Sequence, residues 1–173
     1  YNKETGKIIC LGPEGATDFF ELGRQDFVVF TGSGYTVINS NIKSNYPYFS
    51  DSTLIAFNER FEPRVINQTS VRGTQVWYAS STSGLWMSEG LDLVNFNEKD
   101  SSIHLHLKDV CFDNDEHVFF GSNSGEITIA TYSDRKLNIN YRINSDQGLR
   151  GNSIAWLEYD SKGYLWAGTN LGL

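Results

Sequence analysis

Polar and basic residues that could bind a ligand lie between the hydrophobic stretches of the chain. They are arginine, histidine and asparagine residues at seven positions: Arg60, His104, His106, Asn123, Arg150, Asn152 and Asn170. Guanidinium, imidazole and amide groups can form hydrogen bonds with sugar hydroxyls, and the nearby Phe61 and Trp86 could face the C–H edges of a sugar ring. This set suits carbohydrate binding and solvated turns equally well.

Acidic residues offer a second chemistry, because a glycoside hydrolase needs two carboxylates at a defined separation. The acids on expected inner strands are Asp18, Glu21, Asp109 and Glu158. No spacing singles out a pair among them, and we expect them to line a wet central channel. The sequence has no Gly-x-Ser-x-Gly, no Cys/His couple and no phosphate loop. No catalytic residue is therefore predicted, and a hydrolase or lyase is kept only as an alternative.

The sequence predicts neither a metal site nor a cofactor. His104 and His106 form a lone HLH pair and His117 stands apart, which is not the spacing of metal ligands. The HLH pair places both imidazoles on one strand face, where solvation or hydrogen bonding explains them. Cys10 and Cys111 lie in apolar, strand-like runs and are expected to be buried without a disulfide.

A repeated pattern of short strands must position these side chains. Three copies of one segment stand out, VWYASSTSGLW from Val76, VFFGSNSGEI from Val118 and LWAGTNLGL from Leu165, and a fainter copy starts at Phe27. Their anchor residues are separated by 48, 42 and 47 residues: Val29, Trp77, Phe119 and Trp166. A further strand begins 12 residues before each anchor, and two more strands follow it. Antiparallel units at this period predict the blades of a β-propeller.

The predicted fold is all-β, with about four four-stranded antiparallel blades that form part of a larger propeller. We expect residues 1–173 to belong to one domain, with blades near 13–58, 63–97, 106–143 and 152–173 and the end of a preceding blade at 1–12. The last blade is incomplete, so the chain is expected to associate, exchange strands or need further blades.

The repeated positions are expected to build the scaffold. Trp77, Phe119 and Trp166 lie on second strands, where alternate side chains pack between neighbouring blades. Gly121 and Gly168 permit close strand approach. Asp160, six residues before Trp166, is expected to start a turn by Asx-type capping, as is Asp113 before Phe119. Ligand binding is therefore expected on the loops that precede first strands and on those that join second to third strands.

Composition excludes some partners. The chain has 173 residues and a net charge of -7, and its basic residues are dispersed, so nucleic acid is not an expected partner. No stretch approaches the length of a membrane span and no signal-peptide pattern opens the sequence, so no membrane insertion is predicted for this region.

One segment has a specific signature. Residues 146–173, DQGLRGNSIAWLEYDSKGYLWAGTNLGL, resemble the two-component regulator propeller repeat of bacterial hybrid histidine kinases. The other copies depart from the pattern: Phe119 replaces Trp, Ala79 replaces Gly, and the first blade keeps only Gly32 and its hydrophobic frame.

The resemblance implies a periplasmic, ligand-sensing propeller region of a sensor histidine kinase that is anchored in the inner membrane. It implies an oligosaccharide ligand, signalling to transcription, other blades of the same protein as partners, and a homodimer. None of the kinase chemistry lies in this segment. Two alternatives stay open: a propeller-based carbohydrate-active enzyme, and an interaction scaffold without a small-molecule ligand.

Overall fold

The computed structural model describes residues 66–89, 92–113 and 115–173 with their side chains, and three earlier strands by their backbone. Arg60 and Phe61, with the remainder of residues 39–65, lie outside the described residues, as do residues 1–15, which include Cys10.

Four antiparallel sheets follow one another along the described chain, and each is a meander in which consecutive strands pair. The first contains β1 (Ala16–Gly23), β2 (Asp26–Thr31) and β3 (Gly34–Ile38). The second contains β4 (Ile66–Arg72), β5 (Gln75–Ser80), β6 (Gly84–Glu89) and β7 (Asp92–Asn95). The third contains β8 (Leu107–Phe112), β9 (His117–Ser122), β10 (Ile127–Ser133) and β11 (Lys136–Ile143). The fourth pairs β12 (Ile154–Tyr159) with β13 (Leu165–Thr169).

A single helical turn interrupts this pattern within the described residues, the 3-10 helix Ser145–Gln147 between β11 and β12. Asn144 caps its start with the side-chain oxygen, and the Gln147 side chain closes a reciprocal capping box on the Asn144 amide. This turn shapes the link into the fourth sheet.

Adjacent sheets are joined through their first strands, since β1 contacts β4, β4 contacts β8, and β8 contacts β12. Side chains bridge these strands at equivalent places. The Ser70 hydroxyl donates to the Val110 carbonyl at 2.6 Å, and the Asn67 amide donates to the Leu107 carbonyl. Between the third and fourth sheets the Leu157 amide donates to Asp109 Oδ2 at 2.6 Å. The sheets therefore follow each other as blades around their first strands.

The core between the second and third sheets is aromatic. Trp77 is fully buried, stacks on Phe96 with ring centroids 5.2 Å apart, and meets Phe112 and Tyr132 edge-on at 5.7 and 5.0 Å. Such ring geometries add to the stabilisation that comes from burial alone. The repeat anchor of the second sheet is thus held by residues of the third.

A smaller core joins the third and fourth sheets. Phe119 stacks on Tyr159 at 5.5 Å, beside the buried Ile154 and Leu157. Cys111 packs at the edge of this cluster as a free thiol, and burial raises its pKa to about 12. The thiol is therefore protonated and unreactive at neutral pH.

Trp166 departs from the expected core position, because 47% of its surface is exposed. Its neighbours Leu165 and Ala167 face the third sheet, whereas Trp166 lies on the opposite face of β13. On that face its indole Nε1 donates to Asp160 Oδ2 at 2.8 Å. The anchor position is buried only where a following sheet covers it.

The glycines that follow two anchors allow close packing. A Cβ atom on Gly121 would lie 2.5 Å from the Ile154 side chain of the next sheet, and one on Gly168 would overlap the Trp156 indole. Neither position leaves room for a side chain.

Candidate functional site

The loops that were expected to bind ligand lie together on one side of the described sheets. We call this side the upper loop face: the turns 80–83, 122–126 and 169–172 with the links 96–106 and 144–153. Main-chain hydrogen bonds join its parts, from Asn123 to the His106 carbonyl at 2.8 Å and from Asn170 to the Ser153 carbonyl at 3.2 Å. The turns of the third and fourth sheets are therefore each fixed to the link that leads into their own sheet.

A hydroxyl residue at the end of each second strand shapes the turn that follows. Ser80 Oγ accepts hydrogen bonds from the amides of Thr82 and Ser83, each at 3.2 Å. Thr169 Oγ1 accepts from the Leu171 amide at 3.2 Å, and Ser122 plays the same part in the third sheet. The Ser or Thr that ends each anchor segment is a turn cap.

Two predicted ligand residues, Asn123 and Asn170, hold the upper loop face together. Asn123 Oδ1 accepts from the Ser153 hydroxyl at 2.9 Å, and Asn170 Oδ1 accepts from the Asn152 amide at 2.9 Å. Both asparagines are exposed at the surface. The structure shows no hydrogen bond from either side-chain NH₂ group to a residue that it describes, so these groups remain donors at equivalent places in two successive sheets.

The histidines of the HLH pair are also engaged. His106 Nδ1 donates to the Ser81 carbonyl, which ties the link 96–106 back to the turn of the second sheet. His104 Nε2 lies 3.2 Å from Glu126 Oε1. Both imidazoles therefore position loops.

Glu126 and Arg142 complete a polar cluster that sequence reasoning missed. Arg142 Nη1 lies 3.3 Å from Glu126 Oε1, and its Nη2 donates to the Ser102 carbonyl and hydroxyl at 3.0 Å. The Ser102 hydroxyl and amide in turn hold the pKa of Asp100 below its ordinary value. The link 96–106 is thereby clasped onto the third sheet. No sequence signal marks this cluster, because its members are scattered between positions 100 and 142.

Arg150 and Trp86 occupy opposite environments. Arg150 is exposed on the link 144–153, and the structure gives it no ion pair with any residue it describes. Trp86 is only 2% exposed and its indole donates to the Ser83 carbonyl at 3.1 Å. Trp86 is therefore not available as the expected aromatic platform.

Asp109 does not line a wet channel. It is buried, with Oδ1 accepting from the Val110 amide at 2.7 Å and Oδ2 from Leu157 of the next sheet. Glu158 is exposed, whereas the side chains of Asp18 and Glu21 lie outside the described residues. The buried carboxylate therefore links the third sheet to the fourth, and we call such a polar side chain between first strands a strut.

Within the residues that the structure describes, no group of three or more His, Cys, Asp or Glu side chains is placed to hold a metal ion. No helix in that part of the chain is long and apolar enough to span a membrane.

Comparison with known proteins bears on the repeat. Residues 148–171 match the family described as two component regulator propeller. This confirms the resemblance of the last repeat. A search of curated proteins finds no match.

Solved structures bear on the fold. The chain is similar to a protein described as the extracellular domain of the hybrid two component system BT3049 from B. thetaiotaomicron, with a TM-score of 0.59 and 16% identity over 83% of this chain. It spans 19% of that domain. It is also similar to the computationally designed Ika4 protein, with a TM-score of 0.57 and 10% identity, over 94% of this chain and 91% of that one. The all-β fold built from β-propeller blades is thereby confirmed.

Proposed function

Because this chain carries the two component regulator propeller repeat at residues 148–171, we propose that it is part of the extracytoplasmic sensor region of a hybrid two-component system. The repeat match carries the proposal, and the similarity to an extracellular domain of such a system supports it. In this proposal the chain lies in the periplasm of a protein anchored in the inner membrane. Its output passes to a histidine kinase and to transcription, and the sensor works as a homodimer.

We further propose that the ligand is a carbohydrate. The upper loop face carries the side-chain NH₂ groups of the exposed Asn123 and Asn170 together with the exposed Arg150. Amide and guanidinium donors suit the oxygens of a sugar. Because hydrogen bonds through their oxygens fix the side chains of Asn123 and Asn170, these two donors are held in place before a ligand arrives, which lowers the entropic cost of binding.

The direct test is a thermal-shift and calorimetric screen of the chain against neutral, amino and acidic oligosaccharides. A ligand that binds the native state stabilises it by mass action, by about 2.7 kcal/mol when the free ligand is in hundredfold excess over Kd. The melting temperature rises accordingly. A shift without turnover is the expected result. Turnover of the sugar would overturn the sensor in favour of an enzyme, and no shift with any sugar would favour an interaction scaffold.

A further inference from the structure

A recess lies on the side of the sheets away from the upper loop face. The turns that join β4 to β5 and β8 to β9 border a groove of about 670 Å³, which we call the lower groove. The residues that line it include Val71, Arg72, Asp113, Asp115, Glu116 and Tyr132. Ligand sites in proteins have volumes of about 300–1,000 Å³, so the groove is large enough for a short oligosaccharide.

Arg72 supplies hydrogen-bond donors on one wall. Its guanidinium carbon lies 5.4 Å from the centre of the Phe112 ring, which holds the group in place by a cation–π contact. Its Nη1 is buried and has no hydrogen-bond partner among the described residues. Because Nη1 is closed to solvent, a ligand in the groove would meet the partly exposed remainder of the Arg72 side chain, which lines the groove and carries further N–H donors.

Acidic residues supply acceptors on the opposite wall. Asp113 is fully engaged, since its oxygens accept from the amides of Asp115 and His117 at 2.9 and 3.1 Å and contact His117 Nδ1 at 2.6 Å. Asp115 and Glu116 are exposed, and the structure shows no ion pair between either side chain and a residue it describes. Two carboxylates therefore remain free to accept hydrogen bonds from a ligand.

The balance of charge decides which ligand fits. Three carboxylates line the lower groove beside one arginine, and Glu89 lies just beyond it, bound to Thr74 at 2.7 Å. A ligand with carboxylate or sulfate groups would be repelled, because like charges at short range are costly. Hydroxyls can serve both walls, and an ammonium group gains a charge-assisted bond to Asp115 or Glu116.

We propose that the lower groove binds an amino sugar, with an ammonium group at Asp115 and Glu116 and hydroxyl or ring oxygens at Arg72. This inference rests on the proposed carbohydrate function, and it adds a second sugar site, on the opposite side of the blades from the upper loop face. The exposed Val71 gives the groove one apolar wall for the C–H edge of the ring.

The test is isothermal titration of the chain with three tetrasaccharides of different charge: glucosamine, N-acetylglucosamine and galacturonic acid. We expect the glucosamine tetramer to bind about tenfold more tightly than its acetylated counterpart, because acetylation removes the ammonium charge. The galacturonic acid tetramer should not bind. Tightest binding by the acidic sugar would overturn the inference.

Variants locate the site. Asp115→Asn and Glu116→Gln should each reduce the preference for the ammonium sugar and together abolish it, whereas Glu158→Gln, which removes one such charge on β12, should leave it unchanged. Arg72→Gln should weaken all binding about tenfold or more, and Arg72→Lys should have an intermediate effect.

Binding that survives the groove variants and is lost in Arg150→Gln would overturn the proposed site in the lower groove and leave the proposed function intact. No binding of any sugar would overturn both.

Discussion

Two tryptophans occupy the same position of the repeat and have opposite environments. Trp77 on β5 is fully buried against Phe96, Phe112 and Tyr132. Trp166 on β13 is 47% exposed and bonded to Asp160 of its own sheet. Both residues are tryptophan, but the third sheet covers Trp77, whereas no described sheet covers Trp166.

This difference shows which part of the repeat acts locally and which acts between sheets. The turn around Asp160 is complete within its own sheet, because the carboxylate accepts from Lys162 and Tyr164 and from the Trp166 indole. The aromatic core around Trp77 takes Phe112 and Tyr132 from the third sheet. A repeat can therefore form its turn without the neighbouring sheet, whereas the aromatic core needs two sheets.

The largest expected effect comes from emptying the covered position. Trp77→Ala should lower the free energy of unfolding by about 3–5 kcal/mol, because it removes a buried ring and leaves a cavity. Trp166→Ala should lower it by only about 1 kcal/mol, because half of the ring is already in water. Urea unfolding followed by far-UV circular dichroism measures both values. Equal losses for the two variants would refute the dependence on a covering sheet.

The next largest effect concerns the polar struts between first strands. Asp109→Ala should cost about 2–3 kcal/mol, because it leaves the buried amides of Val110 and Leu157 without their charged acceptor. Ser70→Ala removes one neutral bond between the second and third sheets and should cost about 1 kcal/mol.

The same urea titrations compare these two variants. A loss for Asp109→Ala no larger than that for Ser70→Ala would contradict a strut role for the carboxylate. It would then behave as a solvated acid, as the sequence alone suggested.

Local features were predictable from sequence because they depend on residues close in the chain. The hairpin strands, the Asp160 turn and the closely packed Gly121 and Gly168 follow from spacing and residue type. The burial of Trp77 and the exposure of Trp166 could not be separated, because covering depends on a sheet some 40 residues away in sequence.

The candidate sites show the same limit. Asn123, Asn152 and Asn170 were predicted as ligand residues from their loop positions, and their side-chain or main-chain bonds to other loops could not be foreseen. The lower groove was missed because Arg72 and Glu116 come from turns of different sheets. Neither residue carries a signal in the repeat pattern.

The smallest expected effect is a difference in how the two tryptophan indoles respond to pH, because their hydrogen-bond acceptors differ. Trp166 Nε1 donates to Asp160, whose pKa is held below its ordinary value of 3.8 first by that bond and then by the Tyr164 amide. Trp77 Nε1 donates to the neutral Gln75 side chain at 3.3 Å. Acidification should therefore affect only the first of these bonds.

An aspartate whose pKa is lower in the folded state stabilises the fold above its unfolded pKa, and this contribution is lost as the pH falls through the folded value. The indole N–H resonance of Trp166 should consequently titrate with a midpoint below 3.8, and that of Trp77 should not titrate in this range. Two-dimensional NMR follows both signals, and Asp160→Asn should abolish the titration of Trp166. A midpoint at or above the ordinary aspartate value would mean that the turn bonds to Asp160 are too weak to hold Trp166. It would contradict the conclusion that the turn is complete within its own sheet.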